Sequence, residues 1–190
     1  HVTISGLPLL DEDGGEVSSI TGKLSISDRD HTPLLADPGT KTLTEAATVA
    51  GTTTGTAAVS GTLSAQDAEG DTISYSVLGG TLNGAGTGYS LVGTYGTLTV
   101  DKANGDYTYT LDNTKTAVDA LSASDTVKEE FTVQAGDGKT TGSDTLTISI
   151  TGANDAPQSV ASSGTTITEN SSGAVVGVLS AQDPEGDGVV

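Results

Sequence analysis

The residues of this chain that could do chemistry are its carboxylates, and they are gathered rather than scattered. Short loops, most of them glycine-containing, hold many of them: DEDGG (11–15), SDRD (27–30), QDAEGD (66–71), GDG (136–138), AND (153–155) and QDPEGDG (182–188). Asp and Gly favour turns for backbone reasons alone, so any single loop is as readily a solvated turn. The set as a whole demands more. Among 190 residues there are 25 Asp and Glu against 7 Lys and Arg, a formal charge of 7 − 25 = −18. Two carboxylates about 4 Å apart repel by roughly 1 kcal/mol even in bulk water, and by more beside protein. Gathered carboxylates therefore need a countercharge. Oxygen-rich loops with D-x-D or D-x-E-x-D spacing suit calcium, which takes about 6–8 oxygen ligands and tolerates irregular geometry.

Other chemistries find little to work with. The chain has no Cys, so it has no disulfide, thiolate metal site or cysteine nucleophile. A Ser-His-Asp site would have to use His31, with no G-x-S-x-G frame to present the serine. Carboxylate pairs of glycosidase type occur in any acidic chain, and without Trp a sugar-stacking cleft is hard to build. Tyr95, Tyr107 and Tyr109 fall on alternating runs and read as sheet-face packing, with Phe131 in the core. Asn170-Ser171-Ser172 is a formal glycosylation sequon, a weak motif. The acidic balance argues against nucleic acid or an anionic membrane as partner, and no apolar run approaches the roughly 18 residues a membrane helix needs. The reading is of a non-enzyme. The lack of any Met, initiator included, suggests a piece of a longer chain.

The elements that must position the carboxylates are strands. Thr, Ser, Gly, Val and Ala dominate, and aromatic content is only 3%, which points to an all-β chain. TISYSVL (72–78), YGTLTV (95–100), YTYTL (107–111), EEFTVQA (129–135) and DTLTISI (144–150) alternate with period two. KANGD (102–106) joins two of them through Asn104-Gly105, a strong hairpin signal. AVDALSASD (117–125) is the one helical turn expected, and strands near 42–49 and 57–65 complete a seven-strand sandwich.

The chain also repeats itself. GTLSAQDAEGD (61–71) and GVLSAQDPEGD (177–187) agree at 9 of 11 positions and lie 177 − 61 = 116 residues apart, about one immunoglobulin-sized sandwich. GKLSISDRDHT (22–32) is a weaker third copy that contributes Asp28 and Asp30. The repeat divides the chain into a last strand of a preceding module (1–6), a partial or shortened module (7–41), a complete module (42–157) and the first strands of a following one (158–190). In a seven-strand sandwich the second-to-third and sixth-to-seventh loops share one end. Asp67, Glu69, Asp71 and Asp137 are thus expected together at the start of the module. Glu45 is expected at the other end, with Asn154, Asp155, Asp183, Glu185 and Asp187.

AQDAEGDTISYSV (65–77), GTYGTLTVDKANGDYTYTLDN (93–113), ALSASDTVKEEFTV (120–133) and TISITGANDAP (147–157) together resemble a VCBS repeat. This is a cadherin-like β-sandwich found in tandem in giant bacterial surface and secreted adhesins. GANDAPQ (152–158), TITEN (166–170) and AQDPEGD (181–187) are likewise similar to the calcium-binding linker pattern of cadherins. The resemblance implies calcium ligands at Asn154 and Asp155, at Glu45 and Glu169, at Asp67, Glu69, Asp183 and Glu185, and at Asp137. Residues 7–41 depart from the pattern, and ADPGT (36–40) is the stretch that could replace an N-D-x-P linker, with Asp37 and Glu12 as weaker candidates.

The expectation is a tandem cadherin-like β-sandwich segment, a calcium-stiffened extender of a bacterial extracellular adhesin serving cell adhesion, biofilm or filament cohesion. Its partners would be neighbouring repeats or copies head-to-tail, and a cell-surface glycan or protein. The rival readings are a module that itself binds carbohydrate or protein, and an accessory domain of a secreted hydrolase.

Overall fold

A computed structural model describes Asp13 and residues 30–49, 52–164, 166, 169, 172 and 177–188. The expectations for residues 1–6, Glu12 and Asp28 lie outside the described residues. The strands, in chain order, are β1 (Leu34–Leu35), β2 (Thr40–Thr44), β3 (Ala47–Val49), β4 (Thr52–Thr54), β5 (Ala58–Thr62), β6 (Ala65–Gln66), β7 (Ser74–Val77) and β8 (Thr81–Leu82). They continue as β9 (Gly88–Val92), β10 (Gly96–Asp101), β11 (Asp106–Leu111), β12 (Thr126–Gly136), β13 (Thr141–Thr151), β14 (Gln158–Ser162) and β15 (Leu179–Gln182). One helical turn, α1 (Thr116–Asp119), stands where AVDALSASD suggested it.

The chain is all-β, and its two main sheets face one another as a sandwich. One sheet runs β5-β11-β10-β9-β8 and the other β2-β13-β12-β7. Alternation decides which side chains meet. Leu98 and Val100 of β10 and Tyr107, Tyr109 and Leu111 of β11 point inward; so do Phe131, Val133 and Ala135 of β12 and Leu146, Ile148 and Ile150 of β13. Burying a Val, Leu, Ile or Phe side chain contributes about 1.5–3 kcal/mol, so these rows supply most of the cohesion. Tyr109 meets Phe131 across the sheets at a ring distance of 5.8 Å. Its hydroxyl donates to Glu129 Oε2 at 2.7 Å, which satisfies the polar end of a buried ring. Gly96 is where β10 must stay bare, because a Cβ there would lie 2.7 Å from the Tyr109 ring.

The β10–β11 hairpin turns on Gly105 at φ 76°, with Asp101 Oδ1 accepting the amides of Ala103 and Asn104. Two other hairpins escaped the strand signals. β8–β9 is an edge pair inside a Gly-rich run, and β3–β4 is a three-residue pair. The expected strands at 42–49 and 57–65 each break in two.

The start of the sandwich also differs from the expected residue 42, which falls inside β2. β2 runs parallel to β13, pairing Thr40 with Thr147 through Thr44 with Thr151. Upstream, β1 pairs with β6, Leu34 with Gln66 and Leu35 with Ala65. Gly142 marks the seating of this strap, since a Cβ there would meet the Pro33 carbonyl at 2.1 Å. Beyond β13, β14 and β15 form an antiparallel pair of their own, with Gln158 opposite Gln182.

Candidate functional site

These pairings align the two ends of the sandwich. The strand after Pro33 sits on Gln66 of GTLSAQD, and the strand after Pro157 sits on Gln182 of GVLSAQD. DHTP (30–33) therefore occupies the place of NDAP (154–157), with Asp30 at the position of Asn154 and His31 at that of Asp155. The hydrogen bonding agrees: the His31 amide donates to Glu69 Oε2 at 3.2 Å, and the Asp155 amide to Glu185 Oε1 at 3.1 Å. ADPGT lies farther along, from the end of β1 to the start of β2. Asp37 only accepts the amide of Gly39 in its own turn.

The acidic loops themselves are copies. Asp67 Oδ1 accepts the amides of Glu69 and Asp71, each at 3.0 Å, and Asp183 Oδ1 accepts that of Asp187 at 3.1 Å. Gly70 and Gly186 each take φ 79°, so both turns need a residue without Cβ.

At the start of the sandwich the carboxylates meet a side-chain cation. Lys139 Nζ bridges Asp71 Oδ2 at 2.8 Å and Asp30 Oδ1 at 2.9 Å. The two carboxylates hold its ammonium well above the ordinary lysine range. His31 Nδ1 contacts Glu69 Oε1, which draws the Glu69 carboxyl down. Asp137 is turned to its own loop. Its Oδ1 accepts the amides of Lys139 and Thr140 at 2.7 Å, and these bonds hold its carboxyl below the usual range.

At the far end β2 delivers Glu45, which is 1% exposed. The parallel pairing puts it beside the end of β13, where its amide donates to the Thr151 carbonyl and its Oε2 accepts the Ala153 amide at 3.1 Å. Burial, and then the charges of Asp155, Glu185 and Asp119, push its pKa up to about 7 against one opposing hydrogen bond. Asp155 is buried as well. Burial also raises Glu185, and Asp183 beside it adds to the effect. Among the described residues no Lys, Arg or His forms an ion pair with Glu45 or Glu185. Asn154 donates from its side chain to the Asp155 carbonyl. Asp187 and Glu169 are exposed, and Glu169 belongs to no hydrogen bond with this group among the described residues.

Three residues were not singled out for these roles by sequence. Asp119 arrives at Glu45 from α1, Lys139 follows GDG, and His31 stands at a linker position. Only the last had a usable signal, the proline two residues on.

As they stand, no three His, Cys, Asp or Glu side chains among the described residues are close enough together to hold a metal ion. The fit to calcium then turns on the donors. At the far end they are all oxygen, and Glu185 Oε2 is buried with no hydrogen-bond partner. At the near end Asp30 Oδ2 and Asp67 Oδ2 are also buried and unpartnered, yet an ammonium fills the gap between Asp30 and Asp71.

No family model matches the chain, so the VCBS resemblance rests on the residues that carry it. No curated protein matches it either. Among solved structures, the crystal structure of human CDH23 EC21-23 is a distant likeness, at 16% identity and a TM-score of 0.39. The alignment covers 82% of this chain and 44% of that one, so the chain spans less than half the length of that solved chain. Among the described residues no helix is long and apolar enough to cross a membrane.

Proposed function

We propose that the chain is an extender segment of a bacterial extracellular adhesin, whose joint between successive sandwiches is stiffened by calcium. Its task is mechanical: to hold a binding region away from the cell and to cohere with neighbouring repeats or copies head-to-tail. One observation carries this reading. A fully buried Glu45 from one sandwich, the linker 153–155 and Glu185 from the following strand pair converge, linked by hydrogen bonds through the linker amides.

A buried carboxylate among other acids is unfavourable without a countercharge. Glu45, Asn154, Asp155, Asp183 and Glu185 would hold the ion, which supplies two positive charges and a preference for oxygen ligands. Because these residues come from the sandwich, the linker and the next strand pair, holding the ion ties the linker to both. Calcium thus converts mutual repulsion into a cross-link.

The test compares melting temperature and solution scattering in chelator and in calcium. Binding to the folded state alone stabilises by roughly 2.7 kcal/mol per site when calcium is 100 times Kd. Calcium is expected to raise the melting temperature and narrow the spread of end-to-end distances. Identical melting and scattering in both conditions would leave the acidic loops as solvated turns and sink the proposal.

A further inference from the structure

The two ends carry the same loop and the same linker geometry, yet differ in residues that bear on charge, Asp30 in the place of Asn154 among them. His31 stands where Asp155 stands, and Lys139 joins Asp30 to Asp71. We infer that the DHTP joint at 30–33 is closed by the Lys139 ammonium and needs no metal, unlike the joint at 154–157. The inference deepens the proposed function and rests on it, since it divides the joints into two kinds.

Geometry supports it from three sides. The ammonium lies within 2.9 Å of carboxylates on two segments 71 − 30 = 41 residues apart, so it fastens the strap to the acidic loop. Its own loop lies against the strap, with Thr140 Oγ1 3.0 Å from Asp137 Oδ2 and 3.3 Å from the His31 carbonyl oxygen. Asp137, the further carboxylate expected here, is committed to amides of its own turn. An ion entering between Asp30 and Asp71 would have to expel the ammonium. Lysine has donors only, so it cannot serve as a ligand to the newcomer.

The experiment is amide hydrogen exchange on the whole chain, read at His31, Ala36, Glu69 and Asp71 for this joint and at Ala153 and Asp155 for the other. In the unaltered chain the first four amides should exchange equally in chelator and in calcium. Lys139→Gln, measured in chelator, should speed them about two- to thirtyfold, the range set by losing two exposed ion pairs. Lys139→Arg should stay near the original rates. Lys139 is 62% exposed, so the glutamine variant retains its core, and unchanged exchange at Leu146 and Ile148 checks this. Calcium-dependent slowing at His31 and Asp71 in the unaltered chain overturns the inference. So does a Lys139→Gln chain that exchanges like the original. If calcium instead leaves Ala153 and Asp155 untouched, the calcium reading of the far joint fails while the lysine result stands by itself.

Discussion

The two linker segments, 30–33 and 154–157, share one plan and differ in what faces their carboxylates. At 30–33 the acidic loop is met by Lys139 and His31 from the same chain, and its carboxylates are partly exposed. At 153–157 the corresponding loop meets Glu45, whose titration burial moves to near neutral pH, and Asp119 adds a further acid. A carboxylate cluster can lose its repulsion to a tethered ammonium, to a proton or to a free ion. Which one acts depends on a few side chains around an unchanged backbone. Two nearly identical eleven-residue loops can therefore have opposite needs.

The largest effect expected concerns Glu45. A carboxyl whose folded pKa is about 7, against an ordinary glutamate value of 4.5, binds a proton that the unfolded chain releases. Its contribution is present below about pH 4.5 and is lost as pH rises through 7. In chelator, Glu45→Gln should therefore gain on the parent chain across that window, by on the order of 3 kcal/mol at pH 8. Melting curves from about pH 4 to 8, spanning both values, measure it. Parallel curves would mean that the far joint buries no charge and that the contrast between joints is empty.

Asp67→Ala comes next. Its Oδ1 holds two loop amides, and hydrogen bonds to a charged group contribute up to about 1.5–3 kcal/mol net each, less where water replaces the lost acceptor. It should destabilise the near joint by about 1–3 kcal/mol by denaturant melting, with no change in the calcium response at 153–155. Asp183→Ala should do less to stability, since Asp183 holds one amide of its loop. A loss of about 1 kcal/mol or less is expected, together with a weaker calcium response and a sandwich fold left intact. Limited proteolysis at 151–158 follows it, and an unaltered calcium response would remove Asp183 from the ligand set.

The smallest effect is ionic strength. Exposed ion pairs contribute about 0.2–1 kcal/mol and are screened by salt. Raising salt in chelator should speed exchange at His31 and Asp71 by a factor of about two. A salt-insensitive near joint would mean that Lys139 is decoration on a strap held by Pro33 and the β1–β6 pairing.

Much of this was legible in residue order, because it depends on local patterning. Period-two alternation marked β10, β11, β12 and β13, and Asn104-Gly105 marked the β10–β11 hairpin, since side-chain direction and φ are set within a few residues. The loop repeat was equally plain. GTLSAQDAEGD and GVLSAQDPEGD share the bond from the loop Asp to the amide four residues on, because the same Asp stands at the same place in each. That loops 67–71 and 137–140 share an end followed from counting strands, and Lys139 does reach Asp71 from one to the other.

What only the tertiary structure decided is long-range. That DHTP occupies the place of NDAP appears only from the register of β1 on β6, because its sequence shares just the proline with NDAP. The early start of the sandwich needed the parallel pairing of β2 with β13, which no local signal carries. Asp119 and Lys139 were invisible for the same reason. Each is an ordinary surface residue in its own segment, and becomes part of a joint only when strands more than 60 residues apart close. Charge acts through space and falls with distance, so the sequence could place carboxylates in loops. Only the fold could determine whether each one faces an ammonium, a buried acid or water.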